Sequence, residues 1–255
     1  MIQEEGSNPT IRPRVSVCMA AYNGEQYIQE QLRSILDQLS AEDEVIIVDD
    51  ASKDETRARV MEAADPRVRL IENGKNIGIR ASFEKALRCV SGEIIFFSDQ
   101  DDVWERDKVL QVLEVFGRDA ATTLVLTNGV KIDKDGTITG TRVLKIPVKF
   151  GIANTLAKNP YYGCLMAFRR EILKACLPIP SSNATHDSWI GTVNSLIGKS
   201  YYLDKDLVYY RRHGCNATKE VHGPILKMIV FRVHFVAHLL CRMPRFILNR
   251  SAGQS

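Results

Sequence analysis

Three absences narrow the class of protein before any motif is considered. The 255 residues contain no apolar run near the roughly 18 residues that a membrane-spanning helix needs. The six cysteines include no C-x-x-C pair, so a zinc site is disfavoured and buried free thiols in a reducing compartment are expected. No acidic residue follows Glu220, which concentrates the net charge of +3 at the C-terminal end. A charge this small does not indicate nucleic-acid binding.

The N-terminal stretch MIQEEGSNPTIRPR is polar and acidic at its start, which is not the pattern of a signal peptide. Hydrophobic residues make up 45% of the chain and charged residues 25%, as in an ordinary globular protein. We therefore predict a cytoplasmic protein with one large α/β domain and a C-terminal appendage.

Strand-like and helix-like segments alternate through the first half of the chain. Apolar strands are predicted at 15–22, 43–50, 67–73 and 92–99, and amphipathic helices at 24–39, 78–90 and 105–116. Ser52 and Glu55 predict a capping box for a further helix. This alternation predicts β-α-β units and a mostly parallel central sheet flanked by helices.

The second half is less regular. IDKDG at 132–136 predicts a turn between two strands, and residues 158–173 combine loop and helix signals. KSYYLDKDLVYYRRHG at 199–214 predicts a hairpin followed by a basic loop.

The run IIFFSDQDDVW at 94–104 ends an apolar strand in three carboxylates, Asp99, Asp101 and Asp102. Burying carboxylates this close together costs several kcal/mol unless a positive charge lies among them. Carboxylate oxygens are the ligands that Mg²⁺ and Mn²⁺ prefer. The cluster is therefore either a solvated turn with helix-capping acids or a cation site.

Other polar residues follow neighbouring strands, and ligands of parallel sheets collect at the carboxyl ends of strands. Tyr22-Asn23 follows the first strand and Asp49-Asp50 the second, where a tyrosine could flank a planar base. Further along, His186-Asp187 is either a helix cap or a catalytic pair. Arg211-Arg212-His213 is either a solvated basic turn or a histidine ligand with arginines facing phosphate.

Several enzyme classes share parts of this pattern. Asp99-Gln100-Asp101-Asp102-Val103 matches the nucleophile signature of haloacid-dehalogenase-type phosphatases, but at least three predicted strands precede it here. A dinucleotide-dependent dehydrogenase is disfavoured because no G-x-G-x-x-G follows the first strand. A response-regulator receiver with acids at 49, 50 and 101 would be half this length.

Seven motifs occur together in a familiar order: MAAYNG, IIVDDASKDET, NIGIRASFEKAL, FFSDQDDVW, GCLMAF, THDSWI and YRRHGCN. In this order they resemble the family 2 glycosyltransferases with the GT-A fold, over about residues 14–218. Two details, the form SDQDDVW and HD in place of the commoner ED, resemble the motifs of bacterial rhamnosyl- and hexosyltransferases. Those enzymes assemble surface polysaccharides (O-antigen of lipopolysaccharide, or capsule). The resemblance implies a GT-A domain, which we place at 14–220; we expect a flexible N-terminus at 1–13 and, from its own residues, a basic amphipathic helix at 221–255.

The resemblance also implies residue roles. It implies Asp187 as the catalytic base and Asp101 with His213 as ligands of Mn²⁺ or Mg²⁺. It places nine residues against the nucleotide-sugar: Tyr22, Asn23, Asp49, Asp50, Arg80, Asp99, Gln100, Asp101 and Arg211. Relatives often carry Asn where Ser82 stands and Gln where Arg212 stands, which affects donor contacts more than the chemistry.

The implied function is an inverting, metal-dependent transfer of a sugar from a nucleotide-diphospho-sugar, dTDP-rhamnose or a UDP-hexose, to a hydroxyl of a lipid-linked saccharide. A binding module that has lost turnover is the non-enzyme alternative, disfavoured because Asp187 and the carboxylate motif are intact. Residues 225–250 mix apolar and basic residues, as in a helix lying on an anionic membrane. We expect a cytoplasmic protein peripheral to the inner face of the membrane, although such a helix can also pack on its own domain.

Overall fold

The computed structural model describes residues 12–144, 148–157, 159–181, 185–214, 233 and 235–242. Within these residues nine strands form one sheet in the order β3-β2-β1-β4-β8-β6-β9-β5, and β7 pairs with β6. The strands are β1 (Val15–Ala21), β2 (Glu44–Asp49), β3 (Val68–Glu72), β4 (Ile94–Ser98), β5 (Val103–Trp104), β6 (Thr122–Ile132), β7 (Ile138–Arg142), β8 (Met166–Arg169) and β9 (Lys199–Arg211). The helices are α1 (Ile28–Leu36), α2 (Thr56–Met61), α3 (Ile79–Leu87), α4 (Lys108–Arg118), α5 (Ile152–Ala157), α6 (Leu173–Cys176) and α7 (His186–Ile197).

The first half is the predicted parallel sheet. β1 pairs in parallel with β2 and with β4, and β2 pairs in parallel with β3. Every residue of β4 is buried, as expected for a strand covered on both faces. Ala21 pairs with Asp49 and Met19 with Ser98, so the carboxyl ends of these strands meet at one edge.

Helix α1 shows why the first half folds as its sequence predicts. Its buried residues are Ile28, Gln31, Leu32 and Ile35, which lie on one face at helical spacing. Burying each of the three apolar side chains contributes about 2 kcal/mol to the free energy of folding.

The second half differs from the prediction in two strands. Residues 199–211 are one continuous strand, β9, so the predicted hairpin is wrong. Asp204 and Asp206, which resemble turn residues, form ion pairs with Arg142 of β7, and shifts in the register with β6 accommodate the irregular stretch. The second missed strand is β8, which pairs antiparallel with β4 and β6. The turn predicted at 132–136 is confirmed, because β6 and β7 are antiparallel.

The capping box predicted from Ser52 and Glu55 is also wrong. Helix α2 begins at Thr56 after Glu55, and Glu55 makes no side-chain cap hydrogen bond. Asp54 accepts the Thr56 N–H at 3.1 Å instead. The Ser52 hydroxyl accepts the Asn23 N–H at 3.0 Å, which ties the turn after β1 to the turn after β2.

Residues 235–242 are helical and pack on the domain. Phe235 and Leu239 are buried, and the Phe235 ring lies edge-on to Trp189 at 5.7 Å. Arg242 donates a hydrogen bond to the Cys176 carbonyl, while Leu240 is exposed. Among the described residues, none of the helices has the length and apolarity needed to cross a bilayer. The other residues of the predicted C-terminal helix lie outside the described part of the chain.

Candidate active site

The turns after β1 and β2 lie side by side at the carboxyl edge of the sheet. Asn23 has a φ of 49° and Ala51 a φ of 62°, so both turns pass through the left-handed region immediately after a strand. The Asn23 side chain accepts the Lys53 N–H at 2.9 Å, which joins the two turns. Tyr22 remains 43% exposed at this edge, so its ring is accessible to a ligand.

Asp49 and Asp50 are both buried beneath these turns. The Asp50 carboxylate accepts the backbone N–H groups of Ile77 and Gly78, each at 2.8 Å, and thereby fixes the loop that leads into α3. Asp49 accepts the Ser52 N–H through Oδ2, and its Oδ1 has no hydrogen-bond partner among the described residues. Both carboxylates therefore shape the loops around the predicted base pocket.

Arg80, in the first turn of α3, is oriented toward the segment that follows α6. Its guanidinium donates to the Ile179 carbonyl at 3.1 Å and lies 3.5 Å from the Glu84 carboxylate. Arg80 therefore joins α3 to that segment.

The carboxyl groups after β4 meet at the same edge, where burial and mutual repulsion raise the pKa values of two of them. Burial, followed by the nearby charges of Asp101 and Asp187, raises the pKa of Asp99 to about 7. Burial also raises the pKa of Asp102, which is fully inaccessible to solvent. Oxygens of Asp99 and Asp102 and the Cys164 sulfur lie within 4.8 Å of one another.

A buried lysine lies beside this cluster, and the sequence analysis missed it. Burial lowers the pKa of Lys108 to about 7. Its Nζ donates to the Cys164 carbonyl at 2.7 Å and lies 4.0 Å from the centre of the Trp104 ring. The available signal was helical spacing, because Lys108 lies one turn before Val112 on the buried face of α4.

Asp101 and His213 are brought together although they are far apart in the chain. The His213 Nε2 lies 2.7 Å from the Asp101 Oδ2, and each side chain is only 13–14% exposed. The His213 ring packs against Tyr27 at a centroid distance of 5.1 Å. A carboxylate and an imidazole at this distance are suitable ligands for a divalent cation.

Arg211 holds β9 against the carboxylate loop. Its backbone N–H donates to Asp102 Oδ1 at 3.0 Å, and its Nε donates to the Asp101 carbonyl at 2.8 Å. The guanidinium also donates to Glu30 at 2.6 Å and lies over the Tyr27 ring at 4.7 Å. Arg211 is 2% exposed, and its guanidinium binds protein groups in this structure.

Asp187 and His186, adjacent in the chain, have different surroundings. The His186 ring is buried and stacks on Phe83 at 3.9 Å, and burial lowers its pKa. Asp187 lies in the first turn of α7, where its Oδ2 accepts the Gly163 N–H at 3.2 Å. Asp187 is also one of the charges that raise the pKa of Asp99. The histidine is therefore part of the core, and the aspartate belongs to the carboxylate site.

Oxygen and imidazole ligands with excess negative charge fit a divalent cation, and a further carboxylate beside them can accept a proton. The comparison with protein families agrees with this chemistry. Residues 16–177 match the family described as Glycosyl transferase family 2, and the chain belongs to that family. This confirms the resemblance drawn from the seven motifs, and it removes the support for a phosphatase with Asp99 as nucleophile.

Bacterial relatives match over most of the chain. The putative teichuronic acid biosynthesis glycosyltransferase TuaG of Bacillus subtilis is 30% identical over 205 residues, which are 78% of this chain and 79% of that protein. The UDP-Glc:alpha-D-GlcNAc-diphosphoundecaprenol beta-1,3-glucosyltransferase WfgD of Escherichia coli is 31% identical over 151 residues, 59% of this chain and 58% of that protein. The uncharacterized glycosyltransferase alr2836 of Nostoc sp. is 28% identical over 224 residues, 80% of this chain, which spans 66% of its length.

Solved structures share the architecture. The S. aureus TarS 1–349 complex with UDP-GlcNAc has a TM-score of 0.71 and 18% identity, covering 89% of this chain and 66% of that chain. The mannosyltransferase PcManGT from Pyrobaculum calidifontis, in complex with GDP-Man and Mn²⁺, has a TM-score of 0.62 and 22% identity, covering 97% of this chain and 76% of that chain. At these identities the likeness shows the fold alone, and the predicted GT-A fold is confirmed.

Proposed function

We propose that this chain is an inverting glycosyltransferase that transfers a sugar from a nucleotide-diphospho-sugar to a hydroxyl group of a saccharide, with Mn²⁺ or Mg²⁺ as cofactor. The observation that carries the proposal is the convergence of Asp99, Asp101, Asp187 and His213 at one edge of the sheet. These groups supply both requirements of the reaction: ligands for a cation and a base for the attacking hydroxyl.

The donor would lie across the carboxyl edge of the sheet. Tyr22 and Asn23, with the loops that Asp49 and Asp50 fix, would surround the base, and Asp99 would lie nearer the ribose. Asp101 and His213 would hold the cation next to the diphosphate. WfgD is named for UDP-Glc and TarS was solved with UDP-GlcNAc, which supports a uridine donor, and dTDP-rhamnose is the other candidate.

The transfer would be a single displacement. A sugar hydroxyl is a weak nucleophile near neutral pH, so Asp187 accepts its proton as the oxygen attacks the anomeric carbon. The bond from that carbon to the diphosphate oxygen breaks, and its electron pair leaves with the nucleoside diphosphate. Asp101 and His213 would hold the cation, which would supply positive charge beside the departing diphosphate. Because attack and departure occur on opposite faces, the anomeric configuration inverts.

The acceptor is proposed to be a lipid-linked saccharide of a bacterial surface polysaccharide. The printed names of WfgD, which includes diphosphoundecaprenol, and of TuaG, which includes teichuronic acid, support this class. We assign residues 14–220 to the GT-A domain and propose that the basic segment at 221–255 contacts the anionic inner face of the membrane; residues 1–11 of the predicted N-terminal segment lie outside the described part of the chain. Exposed Val233 and Leu240 would face the lipid, while Phe235 and Leu239 pack on the domain.

Sugar transfer to membrane-extracted lipid-linked acceptors tests the proposal, with labelled UDP-hexoses and dTDP-rhamnose as donors. We expect Asp187→Asn to lower transfer by about 10²–10⁴-fold, the usual contribution of a general base, and to change donor affinity less than about threefold. Donor binding without transfer by the wild type would instead identify a non-catalytic binding module. An Asp187→Asn variant with wild-type transfer would refute the role of Asp187.

A further inference from the structure

The side chain of Gln100 forms hydrogen bonds with both backbone groups of Tyr22. The Tyr22 N–H donates to Gln100 Oε1 at 2.8 Å, and Gln100 Nε2 donates to the Tyr22 carbonyl at 3.1 Å. A primary amide presents a donor and an acceptor side by side, as a neighbouring strand does, so one side chain binds both backbone polar groups of a single residue. The two residues are 78 positions apart in the chain. The contact therefore connects two separate loops.

The turn after β1 is built around this amide. A Cβ added to Gly24 would lie 2.5 Å from the Gln100 Cδ and would collide with its Oε1. The Gly24 N–H donates to the Thr56 hydroxyl at 2.7 Å, which fixes the glycine from the other side. Since Gly24 is not among the glycines with positive φ, alanine is compatible with its backbone, and the atoms nearest to its added Cβ are those of the Gln100 amide.

Gln100 lies between Asp99 and Asp101, and Tyr22 is exposed where the base of a donor would bind. We propose that Gln100 is a positioning residue that fixes the Tyr22 turn relative to the cation-binding loop, a role that rests on the proposed function. Gln100 then acts on the nucleoside through Tyr22, whose backbone N–H and carbonyl it binds. Gln100 thereby fixes the position of the part of the site that would bind the base relative to the part that would bind the diphosphate.

Calorimetric titration of the full chain tests this role. The ligands are UDP and dTDP, each with Mn²⁺, and pyrophosphate with Mn²⁺ serves as the probe that lacks a nucleoside. We expect Gln100→Ala to weaken the better nucleotide about tenfold, the scale of one to two lost hydrogen bonds, and to change pyrophosphate affinity less than about twofold. Gln29→Ala is the matched control, since Gln29 is an exposed glutamine on α1 that bonds to Glu62. Equal losses for nucleotide and pyrophosphate, or no loss of nucleotide affinity, would overturn the role.

A double-mutant cycle with Gly24→Ala provides the second test. In the wild type this substitution must displace the Gln100 amide, so we expect it to weaken the nucleotide about as much as Gln100→Ala does. In the Gln100→Ala background it should add less than about a twofold loss, whereas additive losses would contradict the contact. If the wild type binds neither nucleotide, the proposed function itself fails, and this outcome is distinct from an unchanged Gln100→Ala variant.

Discussion

Replacement of Asp99 by asparagine should make the metal-free protein more stable at alkaline pH. Asp99 is half-buried near Asp101 and Asp187, and its pKa is raised from 3.8 to about 7. Between about pH 4 and pH 7 the folded protein therefore keeps a proton on Asp99 that the unfolded chain has lost. The free energy of unfolding falls as pH rises through this window, and it stays low above pH 7. Asparagine does not titrate, so the variant avoids this loss.

The size of the effect follows from the pKa. The increase in the pKa of Asp99 from 3.8 to about 7 corresponds to about 4 kcal/mol in the free energy of unfolding. Because Asp99 has partial solvent access and shares charge with the other carboxylates, we expect Asp99→Asn to gain about 2 kcal/mol at pH 8. This gain raises the Tm by about 5 °C for a chain of this length. At pH 4.5 wild type and variant should differ by less than about 0.5 kcal/mol.

Urea denaturation at pH 4.5, 6, 7 and 8 in EDTA measures this difference, with Asp107→Asn as the control, because Asp107 is an exposed residue between β5 and α4. A cation must compete with the proton on Asp99, so the stabilisation of the wild type by Mn²⁺ should also increase from pH 6 to pH 8. Wild-type and Asp99→Asn free energies that stay parallel across the whole pH range would refute the account of the carboxylate cluster.

Two other predictions concern the buried charges. Lys108→Met should remove a pH dependence of the wild type: burial lowers the pKa of Lys108 to about 7, so the unfolded chain binds this proton more tightly and the free energy of unfolding of the wild type gains about 2 kcal/mol relative to the variant between pH 6 and pH 9. Urea denaturation at both pH values measures this gain, and a difference between wild type and variant that does not change with pH would contradict the buried position of the Lys108 ammonium. Glu30→Gln should lower the free energy of unfolding by about 1 kcal/mol, because its partner Arg211 is buried. The control Glu114→Gln breaks an exposed pair with Arg118 and should lower it by less than about 0.5 kcal/mol. Equal losses for the two variants would contradict the role of the Glu30–Arg211 pair.

The sequence predicted those parts of the fold in which local signals and tertiary structure agree. Strands β1, β2 and β4 are continuous apolar runs that end at polar turns, so their burial and direction follow from pattern alone. In β9 the acidic residues Asp204 and Asp206 resemble a turn signal, but both form ion pairs with Arg142 of β7 and the strand continues through them. Such a contact has no signature in the sequence around it.

The candidate site shows the same division. Sequence alone could predict that four residues meet at one edge of the sheet: Asp99, Asp101, Asp187 and His213. The prediction rests on the order of the motifs and on the rule that ligands collect where strand ends meet. The roles of Gln100 and Arg211 could not be predicted in this way, because each side chain could face a ligand or the protein. Contacts across long sequence separations decide the question, such as the one between Arg211 and Glu30, 181 positions apart.

The most direct test of the central claim is a thermal-shift panel of UDP-, dTDP- and GDP-sugars, each with and without Mn²⁺, on the wild type and on Asp101→Asn. A ligand that binds only the folded state raises the Tm by mass action. We predict that one nucleotide class raises the Tm of the wild type, that the increase requires Mn²⁺, and that it is lost in Asp101→Asn. An increase that needs neither Mn²⁺ nor Asp101, or no increase with any nucleotide-sugar, would contradict a cation-dependent donor site at this edge of the sheet.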